Sequence, residues 1–315
     1  MTRFAALAHL AALAGTLITS ATAQQQPDVR KPYTGRFDLT LTASDGRKLP
    51  SWLEVQKSGN AALVGRFVAV VGSARPIAKI DYANDTIRFA IPPQWEGGSG
   101  DLRVEARVAG DSVSGTVTMP DGTQLPMTGV RAPALKPPAH VQWGRPLKLI
   151  GTDLAGWRVF GGPNQWSVVS GVLTNAKAGG NLATNANYGD FKLHVEFRYP
   201  AGGNSGIYLR GRHEMQIEDP ALGVVATEGL GAIYGFLAPT DPVYKGTGEW
   251  QTYDITLIGR QLTVALNGKQ VIVEREIPGP TGGAIDSNER MPGPIFLQGD
   301  HGPIEYRNIT IAVGH

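Results

Sequence analysis

Residues 203–219 read GNSGIYLRGRHEMQIED, in which apolar and polar side chains alternate on either side of a short Gly-Arg segment. A period of two is typical of a β-strand, because successive side chains point to opposite faces of the sheet. The stretch therefore predicts a hairpin. One face would carry a phenol, a guanidinium, an amide and two carboxylates, which is more typical of a polar cleft than of a solvated strand. The residues of that face are Tyr208, Arg210, Glu214, Gln216 and Glu218.

The first residues have the pattern of a secretory signal. Arg3 precedes a short apolar run at residues 4–18, and residues 21–23 supply an A-x-A cleavage site. These features predict a signal peptide at residues 1–23 and a periplasmic or extracellular protein. No later run is apolar enough to predict a membrane span. The chain has no cysteine, so the fold is expected to rest on its hydrophobic core rather than on disulfides.

The charge pattern bears on the kind of partner. The 29 basic and 27 acidic residues are well mixed and give a net charge of +2. A nucleic-acid surface would show clustered Lys and Arg, so no nucleic-acid partner is expected. The sequence leaves the oligomeric state open.

Short alternating runs continue along the chain and are separated by turn dipeptides such as Asp45-Gly46 and Asp121-Gly122. No long segment has the period of an amphipathic helix, so an all-β protein is predicted. The first half suggests a small antiparallel barrel or sandwich, and the second half suggests two stacked sheets. The expected divisions are a disordered leader at 24–32, an all-β domain at 33–133, a Pro-containing linker at 134–144 and a second β domain at 145–315.

Carboxylates on the hairpin invite comparison with glycosidases, which use a pair of acids. Glu214 and Glu218 are four residues apart, and such positions lie roughly 13 Å apart along a strand. That spacing is too long for the usual pair, so a second carboxylate would have to come from a neighbouring strand, with Glu196 as the candidate. The alternative is an ordinary solvated strand face.

Other polar residues allow functional and structural readings. Arg210 is expected to neutralise one of the hairpin acids. His301 lies in the glycine-rich segment 298–303, which suits proton transfer or metal binding but is also compatible with a turn histidine without a role. His194 and Glu196 share one strand face, too few ligands to define a metal site. His213 lies in the turn region and is expected to face solvent.

A series of motifs in order resembles the 3-keto-disaccharide hydrolase domain family, long known as a domain of unknown function, over about residues 145–313. The motifs are LAGW at 154–157, GDF at 189–191, EFR at 196–198, GNSGIYLRG at 203–211, EMQIED at 214–219, GAIYG at 231–235, GEWQ at 248–251, GPIFLQ at 293–298, HG at 301–302 and YRNI at 306–309. The resemblance implies a concanavalin A-like jelly-roll sandwich that acts on oligosaccharides or glycosides whose C3 hydroxyl has been oxidised to a ketone. Glu218 departs from the family pattern, where an apolar residue is more usual.

The family resemblance also implies a chemistry and roles for particular residues. A C3 ketone acidifies the C2–H bond, so a base can remove that proton and the aglycone can leave from C1 before water adds back. The implied catalytic residues are Glu214 as base, Arg210 at the enolate, and Tyr208 or His301 as acid. The implied substrate-binding residues are Glu196, Asn204, Gln216 and Gln298. A divalent metal ion is compatible with the family, with Glu214, Glu196, His194 and His301 as candidate ligands, and no nucleotide cofactor is expected.

The leading hypothesis from the sequence is thus a 3-keto-glycoside hydrolase or lyase that works by β-elimination and hydration. The rival is a lectin-like envelope protein that binds carbohydrate without cleaving it, since sandwiches of this class do both. We expect the N-terminal domain to pack on the second domain and to restrict access to its cleft.

Overall fold

The computed structural model describes residues 28–315. The predicted signal peptide lies outside the described residues. Within them, no helix is long and apolar enough to cross a membrane. The helical structure in this part of the chain consists of two short 3₁₀ turns, Lys31–Tyr33 and Pro220–Leu222.

Eight antiparallel strands form a closed barrel in which each strand pairs with the next and β8 pairs back with β1. The strands are β1 (Gly35–Thr42), β2 (Lys48–Ser58), β3 (Ala62–Val68), β4 (Arg75–Ala83), β5 (Thr86–Ile91), β6 (Leu102–Ala109), β7 (Ser112–Thr118) and β8 (Gln124–Arg131). Alternate residues of β6 are buried and exposed along its whole length, as the period of two predicts. The sequence predicted a small barrel or a sandwich here, and the structure shows the barrel.

The segment just before the barrel differs from the sequence prediction. Residues 28–32 were expected to belong to a disordered leader, but Lys31–Tyr33 forms a 3₁₀ turn. Asp28 forms ion pairs with Arg30 at 3.0 Å and with Lys57 of β2 at 2.7 Å. Tyr33 is buried in the barrel core, so this part of the predicted leader is fixed to the barrel.

The second half of the described chain forms two packed sheets. The strands are β9 (Leu147–Lys148), β10 (Trp157–Phe160), β11 (Trp166–Val169), β12 (Val172–Asn175), β13 (Asn181–Thr184), β14 (Phe191–Arg198), β15 (Asn204–Leu209), β16 (His213–Glu218), β17 (Gln251–Ile258), β18 (Gln261–Leu266), β19 (Lys269–Glu276), β20 (Phe296–Leu297) and β21 (Ile304–Val313). One sheet has the order β10-β13-β20-β15-β16, and the other has β11-β12-β21-β14-β17-β18-β19 with β9 paired to β21. The predicted jelly-roll sandwich is confirmed.

The two sheets bury their apolar faces against each other, and this decides where polar side chains lie. On β14, Leu193 and Val195 point into the shared core while His194 and Glu196 point outward. On β16, Met215 joins the same core, yet the opposite face of this strand is buried as well. The polar face of the hairpin β15–β16 is therefore covered by other parts of the chain, whereas the polar face of β14 is open.

The barrel provides part of that cover. Trp52 and Val68 of the barrel belong to the same hydrophobic cluster as the sandwich core. The ring of Trp52 meets Phe236 edge to face at a centroid distance of 5.0 Å. Trp52 also lies against Gly279, where a Cβ atom would sit 2.1 Å from the indole nitrogen. The barrel thus packs directly on the sandwich through a contact that excludes a larger residue at 279.

Candidate active site

A cavity of about 550 Å³ lies over the polar face of the hairpin, at the junction with the barrel. This volume is within the range of roughly 300–1,000 Å³ that small-molecule sites occupy. Its lining residues are Val71, Gly72, Trp95, Asn204, Tyr208, Glu214, Gln216, Glu218, Val224, Glu228, Tyr234, Gly282, Gly283, Gln298, Asp300 and His301. A larger depression of about 770 Å³ on the outer surface of β5–β7 is lined by no histidine and no buried carboxyl.

The register of the hairpin brings its polar residues together. Tyr208 pairs with Glu214, and Asn204 pairs with Glu218. Gly206 leaves the space that the carboxyl of Glu214 fills, since a Cβ atom at this position would lie 2.4 Å from Glu214 Oε1. Because it has no side chain, Gly206 lets the Glu214 side chain lie across the neighbouring strand.

Glu214 is a buried acid at the floor of the cavity, with 4% of its surface exposed. Its backbone N–H donates to Thr281 Oγ1 at 3.0 Å, which fixes the strand to the loop above it. Burial raises the pKa of Glu214 to about 8, against the opposing effects of the Tyr208 hydrogen bond and the nearby His301. Roughly a tenth of such a group is ionised at pH 7, so the carboxyl can both accept and return a proton near neutral pH.

The hydroxyl of Tyr208 lies 2.9 Å from Glu214 Oε2 and 2.9 Å from the carbonyl oxygen of Gly282. A phenol has one proton and cannot donate to both acceptors. When it donates to Gly282, the contact with Glu214 requires a proton on the carboxyl, which agrees with the raised pKa of that group. Burial and the Glu214 carboxyl raise the pKa of Tyr208 well above its ordinary value, so the phenol stays neutral.

The position of Tyr208 is tightly defined. Its ring stacks on Phe296 with centroids 3.9 Å apart and planes inclined by 8°. Gly283 lies above the hydroxyl, and a Cβ atom there would approach it to 2.5 Å. The phenol is therefore held in place before any substrate binds.

A second wall of the cavity comes from the loop after β20. His301 Nδ1 lies 2.7 Å from Asp300 Oδ1, and this hydrogen bond, with the nearby Glu214 and Glu218, raises the pKa of His301. The imidazole is half exposed and lines the same cavity as Glu214. Among the residues that line the cavity, it is the side chain that can carry a positive charge.

Amide side chains complete the polar surface. Asn204 Nδ2 donates to Glu218 Oε2 at 2.6 Å, which gives the unusual Glu218 a contact within the site. Burial raises the pKa of Glu218. Gln298 Oε1 is buried and accepts no hydrogen bond within residues 28–315. A hydroxyl group of a bound sugar would satisfy this acceptor.

Arg210 does not join this site, contrary to the sequence prediction. It is the first turn residue of the hairpin, with a φ of 54°, so its side chain leaves the strand face that carries Tyr208. Its Nη2 pairs with Asp190 at 3.0 Å, and its Nε donates to the carbonyl of Gly189 at 2.8 Å. Arg210 therefore ties the hairpin turn to the start of β14 and neutralises neither hairpin acid.

Glu196 and His194 are also placed away from the cavity. Both lie on the outer face of the other sheet, with the sandwich core between them and Glu214. Glu196 accepts hydrogen bonds from Arg307 at 2.7 Å and Asn308 at 2.6 Å, and His194 Nδ1 lies 2.7 Å from Asp254. The prediction that Glu196 supplies half of the site is wrong, because alternation on β14 directs it outward.

His213 was expected to face solvent and is instead buried, with Nδ1 3.1 Å from the carbonyl oxygen of Gly279. Burial lowers the pKa of His213 well below its ordinary value. On its other side, Nε2 lies 3.6 Å from Glu289, a buried carboxylate that binds Arg260. This cluster lies where the barrel meets the sandwich and has a structural role.

Comparison with known proteins adds an independent observation about the sandwich. A sequence profile of the 3-keto-alpha-glucoside-1,2-lyase-like domain matches residues 147–312, which is more than half of the chain and includes the whole hairpin. The chain belongs to this family. The family resemblance seen in the motifs is thereby confirmed, and the protein is carbohydrate-active. The barrel strands lie outside the matched residues.

Several solved structures are similar to the second half of the chain. Two structures from Parabacteroides distasonis ATCC 8503, each described as a candidate glycosyl hydrolase, are 30% identical to this chain. One covers 55% of this chain and 91% of its own length with a TM-score of 0.47, and the other covers 53% and 98% with a TM-score of 0.44. A carbohydrate-binding module from Bacillus subtilis is 11% identical over 50% of this chain and 94% of its own, with a TM-score of 0.33. No curated protein matches the chain.

The metal-binding prediction can be tested against the arrangement of its candidate ligands. Glu214 and His301 line the cavity, but Glu196 and His194 lie on the far sheet, so the four cannot converge on one ion. Over residues 28–315, no group of three or more His, Cys, Asp or Glu side chains is arranged to hold a metal. Protein metal sites usually take at least three such ligands. The described residues do not fit a preformed metal centre.

Several residues reach the cavity from loops that the sequence did not connect with the hairpin. Trp95 and Val71 come from the barrel, and Glu228 comes from the segment after β16. The signal for Trp95 was an aromatic residue in the Pro- and Gly-rich run PPQWEGGSG at 92–100, a composition typical of an exposed loop. Local sequence contains no comparable signal for Glu228.

Proposed function

We propose that this protein cleaves 3-keto-glycosides by elimination and hydration, with Glu214 as the base. The observation that supports this most is a buried carboxyl at the floor of a cavity, in contact with a neutral phenol and close to a histidine. Such a carboxyl is a stronger base than an exposed one once it is ionised. The family match to 3-keto-alpha-glucoside-1,2-lyase-like domains supports the substrate class.

In the first step, the Glu214 carboxylate removes the proton on C2 of the 3-keto sugar. The C2–H electron pair forms the C2–C3 double bond of an enolate, and the ketone oxygen gains the negative charge. Tyr208 lies beside Glu214 and is a neutral donor that could stabilise this oxygen by a hydrogen bond. This assigns to Tyr208 the electrophilic role that the sequence assigned to Arg210.

In the second step, the enolate re-forms the C3 carbonyl, a C1–C2 double bond forms, and the C1–O bond breaks. His301, whose hydrogen bond to Asp300 favours the protonated imidazole, donates a proton to the departing oxygen. Water then adds at C1 and returns one proton to His301, while Glu214 returns the first proton to C2. The sum is hydrolysis, and both side chains regain their starting protonation states.

The amides have a positioning role in this scheme. Asn204, Gln216 and Gln298 line the cavity and can hold the sugar hydroxyls so that the C2–H bond faces Glu214. Gln298 Oε1 is buried and accepts no hydrogen bond from the described residues, so a sugar hydroxyl that donates to it would remove the cost of an unsatisfied acceptor.

Isotopic substrates test this proposal directly. Purified protein is incubated with 3-keto-trehalose or 4-nitrophenyl 3-keto-glucoside, with and without a chelator, and product release is followed. We expect release in both conditions and a primary isotope effect when C2 carries deuterium, because the C2–H bond breaks in the base step. Absence of release in every condition would contradict the proposal, and release without an isotope effect would argue for direct displacement at C1.

A matched pair of substitutions assigns the base. Glu214→Gln keeps the shape of the side chain and removes its basicity, so turnover should fall by at least about a hundredfold. Glu196→Gln makes the same chemical change on the far sheet and should retain wild-type turnover. Equal losses in the two variants would mean that Glu214 is not the base. Binding of sugars without turnover would instead favour the lectin-like alternative.

A further inference from the structure

Three exposed apolar side chains meet at the mouth of the cavity, and each comes from a different loop. Trp95 is 67% exposed, Val71 is 42% exposed and Val224 is 39% exposed. All three line the cavity whose floor is Glu214. We call Val71, Trp95 and Val224 the apolar rim. Exposed apolar groups that converge at the edge of a polar cavity are typical of a binding surface.

The loop that carries Trp95 is held in place although the indole itself is open. Glu96 forms an ion pair with Arg75 at 2.6 Å, and their side chains are only 3% and 10% exposed. Gln94 accepts a hydrogen bond from the backbone N–H of Ser73 at 2.8 Å, which joins this loop to the one that carries Val71. The indole is therefore presented on a fixed backbone, which reduces the entropy lost when a ligand binds.

Glycine 72 allows the two barrel loops to lie close together. A Cβ atom at Gly72 would lie 3.1 Å from Trp95 Cδ1, and one at Gly282 would lie 2.4 Å from the carbonyl oxygen of Gly72. Gly282 is the residue whose carbonyl oxygen contacts the hydroxyl of Tyr208. The rim is thus a direct neighbour of the Tyr208–Glu214 pair.

A contact between the barrel and the sandwich orients the rim over the cavity. Gln94, which precedes Trp95, donates from Nε2 to Oε1 of the cavity-lining Glu228 at 3.3 Å. Trp95 and Val71 lie outside the residues that match the family profile. The rim is therefore a property of this two-domain chain rather than of the sandwich alone.

We propose that the apolar rim is the leaving-group subsite and that Trp95 stacks on a ring of the aglycone, either a second sugar or an aryl group. This inference rests on the proposed function. With the C2–H bond of the keto sugar at Glu214, the substituent on C1 extends toward the mouth, where the floor amides end and the rim begins. The C–H face of a pyranose and the face of an aryl ring both pack favourably against an indole.

Leaving-group selectivity tests the rim. The ratio of kcat/KM for 3-keto-trehalose to that for methyl 3-keto-glucoside is measured in the wild type and in Trp95→Ala. Loss of a stacking contact predicts a fall in this ratio of about tenfold. Trp95→Phe keeps a flat ring and should retain most of the ratio. Trp250→Ala, which removes a tryptophan that stacks with Arg307 on the far sheet, should leave the ratio unchanged.

The ratio is also measured with 4-nitrophenyl 3-keto-glucoside in place of 3-keto-trehalose, which shows whether Trp95 stacks on an aryl ring or on a sugar ring. A fall for both ring substrates indicates a general stacking platform, and a fall for one of them identifies the class of leaving group. An unchanged ratio in Trp95→Ala for both substrates would overturn the proposal. Because Trp95 is largely exposed, its replacement should not unfold the barrel, and a thermal melt checks this.

Binding without turnover separates this inference from the proposed function. In the Glu214→Gln background, the affinity for 3-keto-trehalose is measured by calorimetry with and without Trp95→Ala. A loss of about tenfold supports the rim even if no variant shows turnover, which would refute only the proposed reaction. Turnover with unchanged affinity and unchanged selectivity would refute only the rim.

Discussion

Tyr208 and Glu214 occupy paired positions across the hairpin β15–β16, and the phenol oxygen lies 2.9 Å from Glu214 Oε2. The pairing follows from a three-residue turn, which fixes the register of the two strands. Both side chains lie on the face opposite the sandwich core, under the loops that the barrel and the segment 277–295 supply. A neutral phenol and a weakly acidic carboxyl are thus held together in a buried position at the floor of the cavity.

This contact predicts the pH dependence of activity. In the wild type, kcat/KM should rise with pH as Glu214 loses its proton, with an apparent pKa near 8. The Tyr208 hydrogen bond lowers the pKa of Glu214, so Tyr208→Phe should move this rising limb to higher pH as well as reduce the maximum rate. The measurement is a pH profile of both proteins with one substrate, and identical limbs would contradict the assignment.

Stability should respond to the same carboxyl. Burial raises the pKa of Glu214 to about 8 in the folded protein, from a usual value of 4.5. Between these values the folded state binds more protons than the unfolded state, so this group makes wild-type stability fall as pH rises. Glu214→Gln lacks this titrating group. As pH is raised from 5 to 9, its free energy of unfolding should therefore increase by about 2 to 4 kcal/mol relative to that of the wild type. Denaturant unfolding at both values measures the change.

Glu196→Gln is the control for that experiment because its trend has the opposite sign. Desolvation alone would raise the pKa of Glu196, but hydrogen bonds from Asn308 and Arg307 lower it below its usual value. Ionised Glu196 therefore stabilises the folded protein above pH 4.5, its pKa in the unfolded chain, and this stabilisation is lost in acid. The difference in stability between Glu196→Gln and the wild type should therefore stay constant between pH 5 and pH 9 and shrink as pH falls below about 4.5. A parallel trend in the two variants would contradict the burial assigned to Glu214.

The glycine beneath the carboxyl gives a steric prediction. Gly206→Ala would place a methyl group 2.4 Å from Glu214 Oε1, so the carboxyl must move away from Tyr208. We expect turnover to fall by more than about tenfold while the sandwich remains folded, because a small displacement of a catalytic group is costly. Gly151→Ala is the control, since a Cβ atom there meets nothing within 4 Å. Full activity of Gly206→Ala would show that the Glu214 position is not critical.

Arg210 should behave as a structural residue. Its side chain is buried and pairs with the partly exposed Asp190, so Arg210→Ala removes this charged hydrogen bond and should cost about 1 to 3 kcal/mol of stability. The isotope effect and the pH profile of the remaining folded enzyme should match those of the wild type. A double-mutant cycle with Asp190→Asn measures the coupling between the two residues. An altered isotope effect would instead support the role in enolate stabilisation that the family resemblance implied for Arg210.

Much of the fold could be predicted from the sequence because a strand leaves a local signal, the alternation of apolar and polar residues between turn dipeptides. The alternation in β6 and the Asp45-Gly46 turn between β1 and β2 correspond to an observed strand and an observed turn. Arg210 was misplaced because the alternation was extended one residue beyond the end of β15. A positive φ at this turn position redirects the side chain, and a pattern of apolar and polar residues does not encode that angle.

The sequence by itself determined that this is an all-β chain with a polar-faced hairpin, and its motifs identified the family. Only the tertiary structure decided which of two glutamates on similar strands is buried in a cavity and has a raised pKa. Glu196 and Glu214 both alternate with apolar neighbours, yet one faces water and the other lies under barrel and loop residues distant in sequence. The physical reason is that a pKa depends on solvation, and solvation depends on what packs over the strand, which local sequence does not specify.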